Sequence, residues 1–373
     1  MRCTGDIHFD QGILLAIFPI DCLGALDRGT GQEAKVSRHI LEDDLPVFRV
    51  DALLHDLAPC PESVYAQGTP EPARWAAYHT SVDFYVNGQM VAPTEATIAV
   101  EDAGLQHSVG LFETFGARNG RIFRLQEHLQ RMAQSSHDLG FCPNLDTKML
   151  AAAVSQTISH NRILDARIRV TLTAGAVSLL HAASKPIEPT VLVTPTIPTR
   201  YAPEYFSNGI AVVIAGPLAN PFDPMAGHKT LAYWQRLRSL RHAASQGAGE
   251  TVWLSVSNHL VSGAVSNLFL VRDGCLLTPI ARGEEVPNAL PAPVLPGVIR
   301  GTIIEIAQAL GLDVYRRTLN IDDLLEADEL FLTNSSWWVL PITRVEAKTI
   351  GPVGPLTCRL RKALLDRVEK ESV

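Results

Sequence analysis

No C-x-x-C pair occurs among the six cysteines (Cys3, Cys22, Cys60, Cys142, Cys275 and Cys358), and their scatter gives neither a disulfide framework nor a zinc-ligand set. They read as reduced thiols of a cytoplasmic protein, with no metal site. Basic residues are in deficit: 32 Lys and Arg against 39 Asp and Glu leave a net charge of −7. That removes any general attraction for nucleic acid or acidic membranes and favours a small-molecule partner. Long apolar runs are missing too. The apolar stretch 12–20 is too short to span a bilayer. Asp6, Asp10 and Asp21 flank it with only Arg2 positive, so it reads as a buried or docked segment and not as a targeting signal. There is no internal repeat and no low-complexity tract.

What is present fits a soluble globular protein: 46% hydrophobic and 19% charged residues. A chain of 373 residues is too long for one ordinary core, which predicts two domains. Residues 1–80 mix short apolar runs with acidic clusters and Pro59, Pro61, Pro70 and Pro72. They show no sustained period and read as a poorly ordered N-terminal extension. From Asp83 the texture changes. Phe84–Val86, the turn Asn87-Gly88 and Gln89–Val91 predict a hairpin. Strands are expected at Thr97–Val100, Leu111–Ala117, Arg121–Leu125, Ala166–Thr173 and Thr190–Val193, with helices at Leu125–Leu139 and Asp146–His160. The Pro-rich segment from Pro195 to Pro203 breaks regular structure. Beyond it, strands are expected at Ile210–Ala215, Thr251–Ser255, Asn267–Val271, Cys275–Thr278, Val314–Leu319, Glu329–Thr333 and Val339–Ile342. Helices are expected at Leu231–Ala244, Gly297–Leu310 and Arg359–Val368. The pattern is α+β: a smaller domain over 81–197, a linker over 198–207 and a larger domain over 208–373.

Two local features carry chemistry. Lys229 stands in Gly227-His228-Lys229-Thr230-Leu231, at the expected mouth of a helix and between the domains. Burial there lowers a lysine pKa and supplies the neutral amine that attacks a carbonyl. Gly297-Val298-Ile299 opens another helix, whose free N–H groups and dipole favour an anion. A lysine amine beside a separate anion-binding turn is what an aldehyde cofactor bearing a phosphate requires. Arg167 and Arg169 are two residues apart on one strand and share a face. Trp337 and Trp338 form a bulky loop after Ser335 and Ser336. Taken alone, Lys229 reads better as a surface lysine opening a helix, and His107 and His228 read better as structural histidines than as catalytic ones.

The order of short pieces narrows the reading. Val86-Asn87-Gly88, Gly110-Leu111-Phe112-Glu113-Thr114, Glu127-His128-Leu129-Gln130-Arg131, His228-Lys229-Thr230-Leu231, Ser266-Asn267-Leu268-Phe269, Gly297-Val298-Ile299-Arg300 and Thr333-Asn334-Ser335 follow one another from residue 84 towards residue 369. In that order they resemble the class IV aminotransferases, the fold-type IV enzymes that use pyridoxal 5′-phosphate. That group includes branched-chain aminotransferase, D-amino-acid aminotransferase and aminodeoxychorismate lyase. The resemblance implies a D-amino-acid-aminotransferase-like fold, with a smaller α/β sandwich domain and a larger barrel-like domain. It implies Lys229 as the Schiff-base lysine and proton carrier. It assigns Arg131, Gly297, Val298, Ile299, Ser335 and Ser336 to the cofactor phosphate, and Ser262 to the pyridine nitrogen. Phe112, Arg167, Arg169 and Trp337 are implied on the substrate side, with an amino acid and a 2-oxo acid as partners and a homodimer as the assembly.

Three departures stand out. Ile299 replaces a usual threonine, so only backbone donors remain there. Thr173-Ala174-Gly175 lacks the arginine of a T-R-G pattern. Ser262 replaces the usual glutamate, and a hydroxyl cannot hold a pyridinium as a carboxylate does. The resemblance therefore leaves three readings open: a transaminase acting on a branched-chain-like or related amino acid, a lyase that releases pyruvate, and a cofactor-binding protein with little turnover.

Overall fold

The computed structural model describes residues 82–176 and 188–371. The apolar stretch 12–20 and the N-terminal extension 1–80 lie outside the described residues. All of the described residues belong to one unit, Pro61–Val373.

The first sheet has six strands, β1 (Phe84–Val86), β2 (Gln89–Val91), β3 (Gly110–Arg118), β4 (Arg121–Ile122), β5 (Ala166–Thr173) and β6 (Thr190–Thr196). Their order is β2-β1-β6-β5-β3-β4 and every pair is antiparallel. The β1–β2 hairpin turns on Asn87 (φ 46°) and Gly88 (φ 94°), the left-handed pair that a two-residue turn demands. Alternation sorts the strands into two faces. Leu111, Phe115 and Ala117 of β3 join Ile168, Val170 and Leu172 of β5 in a core with Leu129 and Met132 of α2 (Leu125–Asp138) and Leu150 and Val154 of α3 (Thr147–His160). The opposite face carries Phe112, Thr114, Arg167, Arg169 and Thr171.

Thr97–Val100 is not a strand. These residues are exposed and pair with no strand; the Ala99 carbonyl accepts from the Asp102 N–H and the Val100 carbonyl from the Gln106 side chain instead. They lead into a short helix, α1 (Ala103–His107), capped by the Asp102 carboxylate, which accepts from the Gly104 N–H at 2.7 Å. The strand expected over Arg121–Leu125 keeps only Arg121–Ile122, because α2 begins at Leu125.

A short helix, α4 (Glu204–Ser207), precedes the second sheet, which is built from β7 (Ile210–Ile214), β8 (Glu250–Leu254), β9 (Leu260–Gly263), β10 (Asn267–Arg272), β11 (Cys275–Thr278), β12 (Val314–Arg316), β13 (Glu329–Asn334) and β14 (Trp338–Val345). Their order is β12-β11-β10-β13-β14-β7-β8-β9, and β15 (Lys348–Thr349) pairs with β14. β9 is an edge strand, yet it passes through only Ala264-Val265-Ser266 into β10, near the other edge. A connection that short makes the sheet curl towards itself, as in a half-barrel. Both faces are apolar. Leu268, Leu270, Leu330 and Leu332 fill the inside of the curl. Phe269, Val271 and Phe331 point outward, onto Ile303 and Ala307 of α6 (Val298–Ala309) and Leu360 and Leu364 of α8 (Pro355–Glu371). Between α6 and α8 lies a short helix, α7 (Ile321–Leu325).

The helix expected from Leu231 starts later, as α5 (Trp234–Ser245). The residues before it are extended. Lys229 to Leu231 lie against the free half of the β3 edge, beside the part that β4 covers. The Phe112 N–H donates to the Lys229 carbonyl and the Leu231 N–H to the Gly110 carbonyl, both at 3.0 Å, with Thr230 bridged to Leu111. The unclaimed donors and acceptors of β3 outweigh the helical period of 231–233.

Candidate active site

Register places the lysine. Because Thr230 stands opposite Leu111, Lys229 stands opposite Phe112 and on the same face. Its Nζ lies 4.4 Å from the Phe112 ring centroid. Arg169, diagonal to Phe112 on β5, sets its guanidinium carbon 3.8 Å from the centroid of the same ring. The Tyr233 ring meets Phe112 edge-on at 5.2 Å. Burial drives the Lys229 ammonium down; Glu113 opposes this, while Arg131, Arg169 and Arg236 reinforce it, leaving the amine at about 7. Such a lysine is poised to react with a carbonyl.

Glu113 points to the other face of β3. It is a charged residue in the apolar stripe of Leu111, Phe115 and Ala117, and it is 1% exposed. Arg131 of α2 grips it bidentately, with Nε to Oε1 at 2.8 Å and Nη2 to Oε2 at 2.6 Å. His128, one helical turn earlier, brings Nδ1 to 2.9 Å from Oε2. Burial alone would raise this carboxyl; Arg131 and His128 outweigh it and hold it at about 2. Arg131 reaches on through Nη1 to the Pro296 carbonyl at 3.0 Å, beside the start of α6. His128 reaches through Nε2 to the Ser335 hydroxyl at 3.3 Å. One network thus ties Arg131, the residue before Gly297, and Ser335 together.

Gly297 caps α6 in extended conformation (φ −68°, ψ 134°) without a side-chain cap. A Cβ at Gly297 would collide with the Asn267 side-chain amide oxygen, so glycine lets that side chain lie against the start of α6. Asn267 in turn donates to the Leu295 carbonyl at 2.8 Å. The first-turn N–H groups of Val298 and Ile299 have no partner within the helix. The Ile299 side chain is buried in the outer core, so only its backbone can face an anion. Ser336 and Trp337 donate their N–H groups to the Asn334 side chain at 2.9 and 3.0 Å, which folds this loop tightly. Trp337 is buried inside the curled sheet, edge-on to Tyr201 at 5.7 Å.

Arg167 and Arg169 have no carboxylate partner among the described residues; Arg169 donates only to the Thr171 hydroxyl, at 3.0 Å. Burial, then repulsion from Arg167, brings Arg169 down to about 10. Two guanidiniums held without acids on the face that carries Lys229 have the donors to receive a carboxylate.

Ser262 is buried on β9, and its hydroxyl donates to the Gly263 carbonyl at 2.8 Å. The same carbonyl accepts from Arg236 Nη1 at 3.0 Å, and the Ala264 carbonyl accepts from it at 2.9 Å. Glu250, fully buried on β8, secures this turn by accepting from Ala264 N, Val265 N and the Ser266 hydroxyl. Burial raises its carboxyl. His107 is exposed, and His228 is occupied by the Ser135 hydroxyl at 2.9 Å. Glu113, His128, Tyr233, Arg236 and Glu250 were not singled out from sequence. A charged residue on the buried side of an alternating strand was the available signal for Glu113, and a glutamate opening an apolar strand was the signal for Glu250.

A depressed lysine amine, a donor-lined helix start and two guanidiniums without acids are groups that suit a carbonyl cofactor bearing a phosphate and a carboxylate substrate. Residues 110–345 match the amino-transferase class IV family, and the chain belongs to it. It is 28% identical over 285 residues to a putative branched-chain-amino-acid aminotransferase of Methanocaldococcus jannaschii, spanning 76% of this chain and 95% of that one. The branched-chain amino acid aminotransferase of Escherichia coli superposes with a TM-score of 0.69 at 26% identity, covering 77% of this chain and 94% of that one. The 4-amino-4-deoxychorismate lyase from Pseudomonas aeruginosa does so at 0.67 and 26%, covering 76% and 98%. Another branched-chain amino acid aminotransferase of the same fold, at a TM-score of 0.69 and 25% identity, is solved with pyridoxamine 5′-phosphate. The fold is therefore fold-type IV, and the cofactor of the family is pyridoxal 5′-phosphate. No described helix is long and apolar enough to cross a membrane.

Proposed function

We propose that this protein transfers an amino group between an amino acid and a 2-oxo acid, with Lys229 as the reacting amine. Bound there, pyridoxal 5′-phosphate would supply the aldehyde and the electron-accepting ring. Val298 N, Ile299 N, Arg131 and Ser335 would hold its phosphate. Lys229 would carry a proton at Nζ to and from the substrate α-carbon, which its value of about 7 suits at neutral pH. Arg169 and Arg167 would take the substrate carboxylate, with Phe112 as the floor between guanidinium and amine.

The observation that carries this reading is the Lys229–Phe112–Arg169 stack. It brings a reactive amine and an unpaired carboxylate receptor onto one ring. The test is the visible spectrum after adding pyridoxal 5′-phosphate, read with a panel of amino acids and with Lys229→Ala as control. A band lost in Lys229→Ala and shifted by particular amino acids is expected; no band at saturating cofactor would refute the reading. A cytoplasmic homodimer is part of the same proposal. Exposed Val100, Leu105, Phe222 and Trp234 offer apolar surface for a second copy, and sedimentation at varied concentration tests it.

The second reading is a lyase that releases pyruvate, and Ser262 favours it. The polar groups at this turn are a hydroxyl already donating to Gly263, a guanidinium, and a carboxylate occupied by the turn itself. A ring nitrogen placed there lacks a carboxylate to keep it protonated, and elimination depends on that proton less than transamination does. Dependence on a 2-oxo acid acceptor separates the two. Ser262→Glu should raise transamination if the serine is what damps it.

A further inference from the structure

His128 holds a position that constrains its protons. Its Nδ1 lies 2.9 Å from Glu113 Oε2, and Glu113 stays ionised, so a proton must sit between them. The opposite nitrogen, Nε2, faces the Ser335 hydroxyl at 3.3 Å. In the neutral ring Nε2 is a lone pair and can only accept, so the Ser335 proton points at the histidine. An anion arriving at Ser335 then meets oxygen lone pairs. For Ser335 to donate to that anion, its proton must turn outward, and Nε2 must gain a proton of its own to fill the gap.

From this geometry, and resting on the reading of a phosphate beside Ser335, we infer that Glu113, His128 and Ser335 form a proton relay: His128 takes up one proton when the phosphate docks, and so acts as a positioning residue for Ser335. The balance is simple. One proton comes from solvent to Nε2, the Nε2–H then donates to Ser335 Oγ, and the Ser335 O–H donates to a phosphate oxygen. No covalent bond forms or breaks. The groups facing the imidazole are Glu113 from β3, Arg131 from its own helix, Lys229 from the extended segment, Ser335 from the β13–β14 turn and the Phe115 ring at 5.2 Å. Burial pushes the His128 pKa down, Glu113 pulls it up, and Arg131 and Lys229 push it down again, so the net shift is downward and the ring enters the event neutral. A dianion across Ser335 adds the negative charge that favours the protonated ring.

The experiment is calorimetric titration of the full chain at about pH 7.5, in two buffers of different ionisation heat. The ligands are 4′-deoxypyridoxine 5′-phosphate and inorganic sulfate. The first is mostly dianionic at this pH, since the second pKa of a phosphate ester is about 6. It has no aldehyde, so Lys229 forms no bond to it. Sulfate has no proton to exchange. For both, uptake approaching one proton is expected, with affinity falling towards tenfold per pH unit as pH rises between the free and bound values of His128. His128→Gln keeps a donor towards Ser335 but cannot titrate. It should still bind, with uptake and, for sulfate, pH dependence reduced to the part that Lys229, titrating at about 7, contributes. Imidazole nitrogen resonances give an independent readout: a proton on Nδ1 alone before ligand, on both nitrogens after. Binding without proton uptake, or uptake unchanged in His128→Gln, would overturn the relay while leaving the phosphate site standing. No binding of the phosphate ester would overturn the site reading beneath it.

Discussion

Lys229 makes the stability of the cofactor-free protein depend on pH in a calculable way. In the unfolded chain the amine keeps its proton up to its ordinary value of 10.5, whereas in the folded protein burial and the Arg131, Arg169 and Arg236 charges release it at about 7. Between those values the unfolded chain binds more protons, so stability rises with pH and the slope is positive. One proton corresponds to about 1.4 kcal/mol per pH unit. From about pH 7.5 to about pH 9.5 the lysine should therefore add roughly 3 kcal/mol to the unfolding free energy. Below 7 both states are protonated and the contribution is flat. Lys229→Met keeps most of the volume and removes the titration, so other groups cancel in the comparison. Urea denaturation of both proteins at the two pH values, with no cofactor added, gives the difference directly. A wild-type-minus-mutant difference that does not grow with pH would mean that the amine titrates near its solution value, and the account of a neutral reacting lysine would fail.

Arg169→Leu removes a charged receptor and should lower kcat/KM for the amino-acid substrate about 10- to 100-fold, mostly through KM, while the Lys229 midpoint moves up because a neighbouring cation is gone. Steady-state kinetics and a pH titration of cofactor capture check the two halves. Gly297→Ala forces a methyl into the Asn267 amide and should cost about 1–3 kcal/mol, with weaker cofactor binding, read by thermal unfolding with and without pyridoxal 5′-phosphate. Glu250→Gln sets an amide N–H among N–H donors and should destabilise by about 1–3 kcal/mol in urea; an unchanged midpoint would refute its role in securing the Ala264–Ser266 turn.

Part of the candidate site follows local pattern. The first turn of α6 and Arg131 needed only helix-start rules and the order of short motifs. The strands β3 and β5 showed themselves by alternation, and β10 and β13 by short continuous apolar runs. What escaped depended on distant register. Nothing in the run from Lys229 to Leu231 signals that β3 has half an edge to spare, so a helical period was read where the chain is extended. Trp337 stands in a loop-like sequence, yet the curl of the second sheet turns it inward. Glu250 reads as an ordinary strand residue until the β9–β10 turn, many residues later, supplies its donors. The absence of a partner strand likewise decides Thr97–Val100, whose β-like composition meets no edge.

The pairing of Lys229–Leu231 with β3 has a consequence for dividing the chain. A cut within 198–207 would leave Phe112, Glu113, Arg131 and Arg169 on one piece and Lys229 on the other. The second piece would carry its own docking element, a short extended segment whose main-chain groups match the vacant stretch of the β3 edge. Reassembly would then be guided by backbone hydrogen bonds, and the same contact that joins the halves would set the lysine opposite its ring. Placement of Lys229 and recognition between fragments are one interaction, so a split reporter built here would restore the Lys229–Phe112 contact only when the halves meet in register.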